Sequence, residues 1–132
     1  MKILKYKKSG PESNPFTNAL SAYIGLRWAI RTEASVRGFA TAGFIVVILS
    51  GILQVGWEEF ALIMFVWFYA VQSEISNTAT EKVSDKACNK QYDPLVKKTK
   101  DFAAGSVFLA NVAAWAVTAL LWTKRLFEIA SS

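Results

Sequence analysis

Five side chains between residues 74 and 85 have the types and spacing for acid–base and metal chemistry. Glu74, Asn77, Thr78, Glu81 and Asp85 sit in the run "SEISNTATEKVSD". On a helix turning about 100° per residue they share about 100° of arc, so they form one stripe and not a ring of charge. Clustered carboxylates with a carboxamide are hard oxygen donors, better suited to Mg²⁺ than to zinc or copper. Mg²⁺ at a surface points to nucleotide phosphates. Phosphoryl transfer needs a metal on the phosphates, a cation for the developing charge and a base for the attacking hydroxyl. Glu33 and Glu81 suit the metal, and Lys100 suits the phosphate. Glu74 is the deepest of the stripe, and partial burial improves a carboxylate as a base near neutral pH. The hydroxyl it serves would come from a bilayer.

Other chemistries are excluded by what the chain lacks. There is no histidine, which removes the commonest general base and the commonest zinc ligand. The single cysteine, Cys88, rules out an internal disulfide and a four-thiolate metal site. No GxxxxGK[ST] or GxGxxG loop occurs, so the phosphate cradles of soluble nucleotide-binding domains are absent.

The elements that must position the stripe are hydrophobic. The chain has 132 residues, enough for one domain, and 53% are hydrophobic. Apolar residues gather in long runs, as in a membrane protein. Residues 1–15 read as a flexible basic arm, with too short an apolar stretch for a signal peptide. From about Pro15, Phe16, Leu20, Tyr23 and Ile24 make one helical stripe, interrupted by Arg27 and Arg31, which fits an amphipathic helix lying in the interface. Three spans follow, at about 36–56, 59–85 and 101–123. The second crosses only if its apolar half, Phe60 to Val71, continues as helix through the acidic stripe. Trp57, Trp122 and Phe127 fall near one boundary, as an aromatic belt does. Seven lysines and arginines precede or open the first span, six lie between the second and third, and none lies between the first and second. The positive-inside rule puts the N-terminus and the acidic stripe in the cytoplasm and the C-terminus outside, with Lys124 and Arg125 a mild violation.

These residues resemble the small bacterial integral-membrane diacylglycerol and undecaprenol kinases. That family's pattern, close to E-x-x-N-[ST]-x-x-E-x-x-x-D, reads here "EISNTATEKVSD" from Glu74 to Asp85. "GLRWAIRTEASVR" upstream and "KDFAAGSV" downstream are similar to its flanking segments, and the likeness covers about residues 16 to 122. The resemblance implies an all-α membrane protein of one surface helix and three transmembrane helices. It implies a homotrimer with shared active sites in the bacterial inner membrane. The implied reaction moves the ATP γ-phosphate to a lipid hydroxyl with Mg²⁺ and no soluble nucleotide domain. By position, Glu74 matches the base and Glu33 and Glu81 the metal ligands. Asn77, Asp85, Lys100, Asp101 and the loop of Gln91, Tyr92 and Asp93 match the nucleotide contacts. Ala104, with Glu74, goes to the lipid substrate. Thr80 and Ser84 stand where the family has aliphatic residues, Ser21 where some members have a tyrosine, and Asp93 where histidine is common. "TEASVR" leans towards diacylglycerol as substrate and "DPLVKKTKDFAAGSV" towards undecaprenol; diacylglycerol is favoured.

Blander readings compete. Lys82 and Lys86 read as the solvated end of a helix. Ala103, Ala104, Gly105 and Ser106 read first as close helix packing. An ion-coupled transporter also carries acids in a membrane, but its key acid must be reached from both faces, whereas these crowd one end. A non-catalytic membrane subunit leaves Glu33 and Lys100, at the same depth, without a purpose.

Overall fold

The computed structural model describes residues 14–89 and 91–131; most of the expected basic arm lies outside them. Four helices follow one another: α1 (Pro15–Thr32), α2 (Ala34–Ile52), α3 (Trp57–Ala87) and α4 (Pro94–Ala130). No strand occurs among the described residues. Helices α2 and α4 are long and apolar enough to cross a membrane. Among the described residues the fold is all-helical, and its composition is consistent with a membrane protein.

The ends of the helices follow from local chemistry. A single extended residue, Glu33 (φ −101°, ψ 114°), breaks α1 from α2. The guanidinium of Arg37 reaches back to donate to the Arg31 carbonyl at 2.8 Å, satisfying one orphan acceptor at the end of α1. After α2, Gln54 takes φ 54°, and Gly56 opens α3 with Glu59 reaching back to accept from its amide. After α3, Asn89 takes φ 50°, a conformation that asparagine tolerates better than most residues. Asp93 caps α4, its Oδ1 accepting from Leu95 N at 2.8 Å and Val96 N at 3.2 Å, with Pro94 in the first turn.

The sequence places the second span at 59–85, continuous through its polar half, and α3 is indeed one unbroken helix of 31 residues. At about 1.5 Å per residue it is about 46 Å long, well beyond the about 30 Å of a hydrocarbon core. Nothing between Trp57 and Ala87 is glycine or proline, and side chains along the polar half bond within the helix, Gln72 to Ser76 and Thr80 to the Ser76 carbonyl. Helix α4 runs further than the apolar stretch suggests, because the capped start at Asp93 and the absence of a breaker before Ala130 extend it at both ends.

Helix α3 packs between α2 and α4 over a core of Val46, Ile63, Trp67, Ala70, Ala110 and Ala114. Trp67 organises it. Its ring meets Trp115 edge-on at 5.0 Å, and its indole N–H donates to Thr118 Oγ1 at 3.0 Å, a buried bond. Gly43 of α2 lies against the same ring: a Cβ there would fall 3.1 Å from Trp67 Cε3. Small residues on both flanking helices thus let two backbones approach a bulky indole. Helix α1 lies mostly exposed, with Ala29 its one buried residue among those described.

Candidate active site

The predicted acids are spread over the polar half of α3, the start of α2 and the approach to α4: Glu33 pairs with Lys82 of α3, and Asp85 with Lys100 of α4. Glu74 is buried, 6% exposed, and no described residue hydrogen-bonds or ion-pairs with its carboxylate. One turn on, Asn77 is also buried; its Nδ2 donates to Glu81 Oε1 at 3.3 Å, while its Oδ1 is buried without a partner. A buried, unpaired carboxamide oxygen is costly, and Asn111 of α4 carries the other one among the described residues. Glu81 is half-buried a further turn out.

Two other segments reach the polar half of α3, Glu33 through Lys82 and Lys100 through Asp85. Glu33 occupies the N-cap position of α2, yet its carboxylate caps no amide of the first turn. It turns across to α3, where Lys82 Nζ lies 3.0 Å from Oε1, and the Thr32 hydroxyl donates to the same oxygen at 2.8 Å. These two donors, Lys82 first, hold the Glu33 carboxyl below the usual glutamate range. From α4, Lys100 Nζ reaches Asp85 Oδ1 at 2.9 Å. That hydrogen bond, with the charges of Asp85 and Glu81, raises the Lys100 ammonium above its ordinary value.

The remaining sequence-derived residues stand apart. Asp101 is paired with Lys97 on the exposed side of α4, at 2.8 Å. Asp93 is engaged in its cap. The amide N–H of Gln91 donates to the Cys88 carbonyl, and Tyr92 is 80% exposed. Ala104 is exposed on α4. Sequence reasoning missed Lys82, which it assigned to a solvated helix end, and Trp28, whose ring centroid lies 5.7 Å from the Lys82 ammonium. Helical spacing shows which residues share a face of one helix; it carries no signal for a lysine that leans from its own helix to the corner between two others.

No group of three metal-binding carboxylates forms among the described residues. The donors present still fit Mg²⁺, which keeps much of its water and takes one or two protein carboxylates alongside substrate phosphates. Glu33 already attracts a cation, in the form of Lys82.

The pattern of the family described as prokaryotic diacylglycerol kinase matches residues 20–122. A diacylglycerol kinase of Synechocystis sp. is 31% identical over 108 residues, covering 82% of this chain and 62% of the relative. The chain thus spans less than two thirds of that relative's length. A diacylglycerol kinase of Helicobacter pylori is 28% identical over 126 residues, covering 92% of this chain and 94% of the relative. The matched stretch includes Glu33, the whole acidic stripe of α3 and Lys100, and the chain belongs to the prokaryotic diacylglycerol kinase family.

Proposed function

We propose that the protein is a lipid kinase that transfers the γ-phosphate of ATP to the hydroxyl of diacylglycerol, giving phosphatidic acid, at the cytoplasmic face of a bacterial inner membrane. The observation that carries this reading is the state of Glu74: buried, unpaired, and on the face of α3 where the apolar half of the helix gives way to Asn77 and Glu81. A lipid hydroxyl arriving from the bilayer meets that carboxylate at the boundary between lipid and water.

The chain's own groups divide the work. Glu74 accepts the proton as the lipid oxygen attacks the γ-phosphorus and the bond to the bridging oxygen of ADP breaks. Asn77 and Glu81 orient that face. Lys100, placed by its pairing with Asp85, offers charge to the phosphates as negative charge shifts to the leaving group. Glu33 and Glu81 are the residues that would hold Mg²⁺, whose chemistry is to neutralise phosphate charge.

A homotrimer with shared sites belongs to the same proposal. Leu62, Phe65, Tyr69, Gln72, Ser76 and Ala79 are all exposed on α3, spaced alternately by three and four residues. That spacing suits the seam of a left-handed helix bundle, and it includes polar residues that lipid would not favour.

The test is direct. The protein in mixed micelles with Mg²⁺ and labelled ATP is offered diacylglycerol, undecaprenol or no lipid. Label transfers to diacylglycerol, and the transfer is lost in Glu74→Gln and Glu81→Gln while helicity is retained. Unimpaired transfer in both variants removes the mechanism. Transfer to undecaprenol alone changes the substrate, and no transfer to either favours a transporter.

A further inference from the structure

Lys82 stands one residue past Glu81, outside the acidic stripe, and it holds Glu33 at 3.0 Å. Three features make that contact unusual. Glu33 is placed to cap α2 and does not, so its carboxylate is committed to a cation across the corner. The Lys82 side chain is 51% exposed, while that of Glu33 is 19% exposed, so the ammonium is the partner with room to turn away into water. Finally, Lys82 lines a second space: an open cleft of about 490 Å³, shared with Asp85, Lys86 and Asn89. Two lysines and a carboxamide, with the Asp85 carboxylate already paired to Lys100, suit a polyphosphate.

We propose that Lys82 is an exchangeable counter-ion. Without nucleotide its ammonium neutralises Glu33; when a magnesium–nucleoside triphosphate binds, Lys82 leaves that carboxylate to the divalent cation and moves to the phosphates in the adjoining cleft. This rests on the kinase reading above. The exchange follows from charge. A dication beside Glu33 makes the ammonium a like charge at a few ångströms, and the triphosphate supplies new acceptors on the cleft side. A flexible four-carbon stem with a compact charge suits such a move, and rotation about the side-chain bonds accomplishes it without moving α3. A consequence is that a bare divalent cation must compete with Lys82 for Glu33, whereas one arriving with its nucleotide is helped by it. The competing account is that Lys82 only docks α1 through Trp28.

The test measures binding at equilibrium, with Mn²⁺ alone followed by the paramagnetic resonance of the free ion, and with Mg²⁺ plus a non-hydrolysable ATP analogue. Lys82→Met keeps the apolar stem against Trp28 and removes the charge; Lys82→Gln serves if that variant folds poorly. Loss of a surface ion-pair competitor tightens Mn²⁺ binding about threefold to fivefold. Loss of a charged phosphate contact weakens Mg–nucleotide binding about tenfold. Lys82→Arg stays near wild type in both. Shifts in the same direction, or either constant unmoved, overturn the exchange and leave docking. Wild-type protein that binds no Mg–nucleotide overturns the kinase reading, a failure visible before any variant is made.

Discussion

The two ends of the helix bundle treat their polar groups in opposite ways. At the end where α2 turns into α3, every polar side chain that reaches inward is matched within the chain. Trp122 Nε1 donates to Ser50 Oγ at 2.9 Å, and that hydroxyl donates on to the Val46 carbonyl. Arg125 Nε donates to the Leu53 carbonyl at 2.9 Å, filling an acceptor that the end of α2 leaves open. Glu59 accepts from the Gly56 amide with one oxygen and from Lys124 with the other. These pairings also account for the charge that the positive-inside rule finds out of place: Lys124 and Arg125 are neutralised by Glu59 and Glu128. At the other end Glu74 has no partner, Asn77 keeps a bare buried oxygen, and Glu33 leans on a lysine that is half in water. One end is finished by its own chain. The other has polar groups left over, as does the middle of α4, where Asn111 Oδ1 is also buried without a partner, and at the open end such polarity is what a ligand can use.

The sharpest way to break that contrast is to change one glutamate at each end. Glu74→Gln should lower kcat by about 10²–10⁴-fold, the range of a positioned general base, with the thermal midpoint unchanged or raised. Glu59→Gln should do the reverse: a lower thermal midpoint from the lost pairing, with the KM for ATP unmoved. Equal effects of the two changes on kcat would dissolve the distinction between the ends.

Between the ends, Gly43→Ala probes the packing that holds them in register. The added methyl meets an indole fixed by Trp115 and Thr118, so it has no flexible neighbour to displace. A cost of about 1–3 kcal/mol in stability is expected, as for overpacking in a core. Denaturant titration measures it, and the KM for ATP of the folded fraction should stay put. A neutral result would show that α2 slides on α3 more freely than this contact allows.

Arg125→Met is a smaller test at the finished end. It uncovers the Leu53 carbonyl without touching the core. Faster amide exchange at residues 53–56, with protection in the middle of α3 unchanged, is the expected result. Loosening that spreads along α3 would mean that the turn holds the whole bundle.

How much of this was legible in the sequence follows from what a helix period can carry. The stripe from Glu74 to Asp85 was legible because its spacing is set by one backbone, and the same spacing predicted that α3 continues through it. The extra turns of α4 were not, since hydropathy ends near Trp122 while the helix ends only where its capping and chain allow, at Ala130. Contacts between elements were legible only in outline. Lys100 was expected near the acids, and it binds Asp85. Lys82 was assigned to solvent, because nothing in its own helix shows that Glu33 and Trp28 lie across from it. Asp101 and Asp93 were assigned to nucleotide by position, and each has a local partner, Lys97 and the α4 amides. Asn77 was assigned to nucleotide by position as well, and unlike those two it keeps a buried oxygen without a partner.

The finest test of the contrast is the titration of Glu33. Its carboxyl is held low chiefly by the Lys82 hydrogen bond and next by Thr32. A lowered value in the fold means that the ionised form is favoured there. The stabilisation it gives is complete above the ordinary glutamate range, about 4.3, and is lost as the pH falls through the lowered value of the folded protein. The tie between the α1–α2 corner and α3 should therefore survive the pH at which free glutamates protonate and release only in stronger acid. The carboxyl carbon shift of Glu33 in a labelled sample reads this directly. Lys82→Met should move the midpoint up towards the ordinary value, and Thr32→Val should move it less. Because the ammonium is half in water, added salt should also move it up. A midpoint indifferent to Lys82 would mean that the corner holds its carboxylate by some other contact, and the open end of the bundle would then be less dependent on exchangeable charge than its geometry implies.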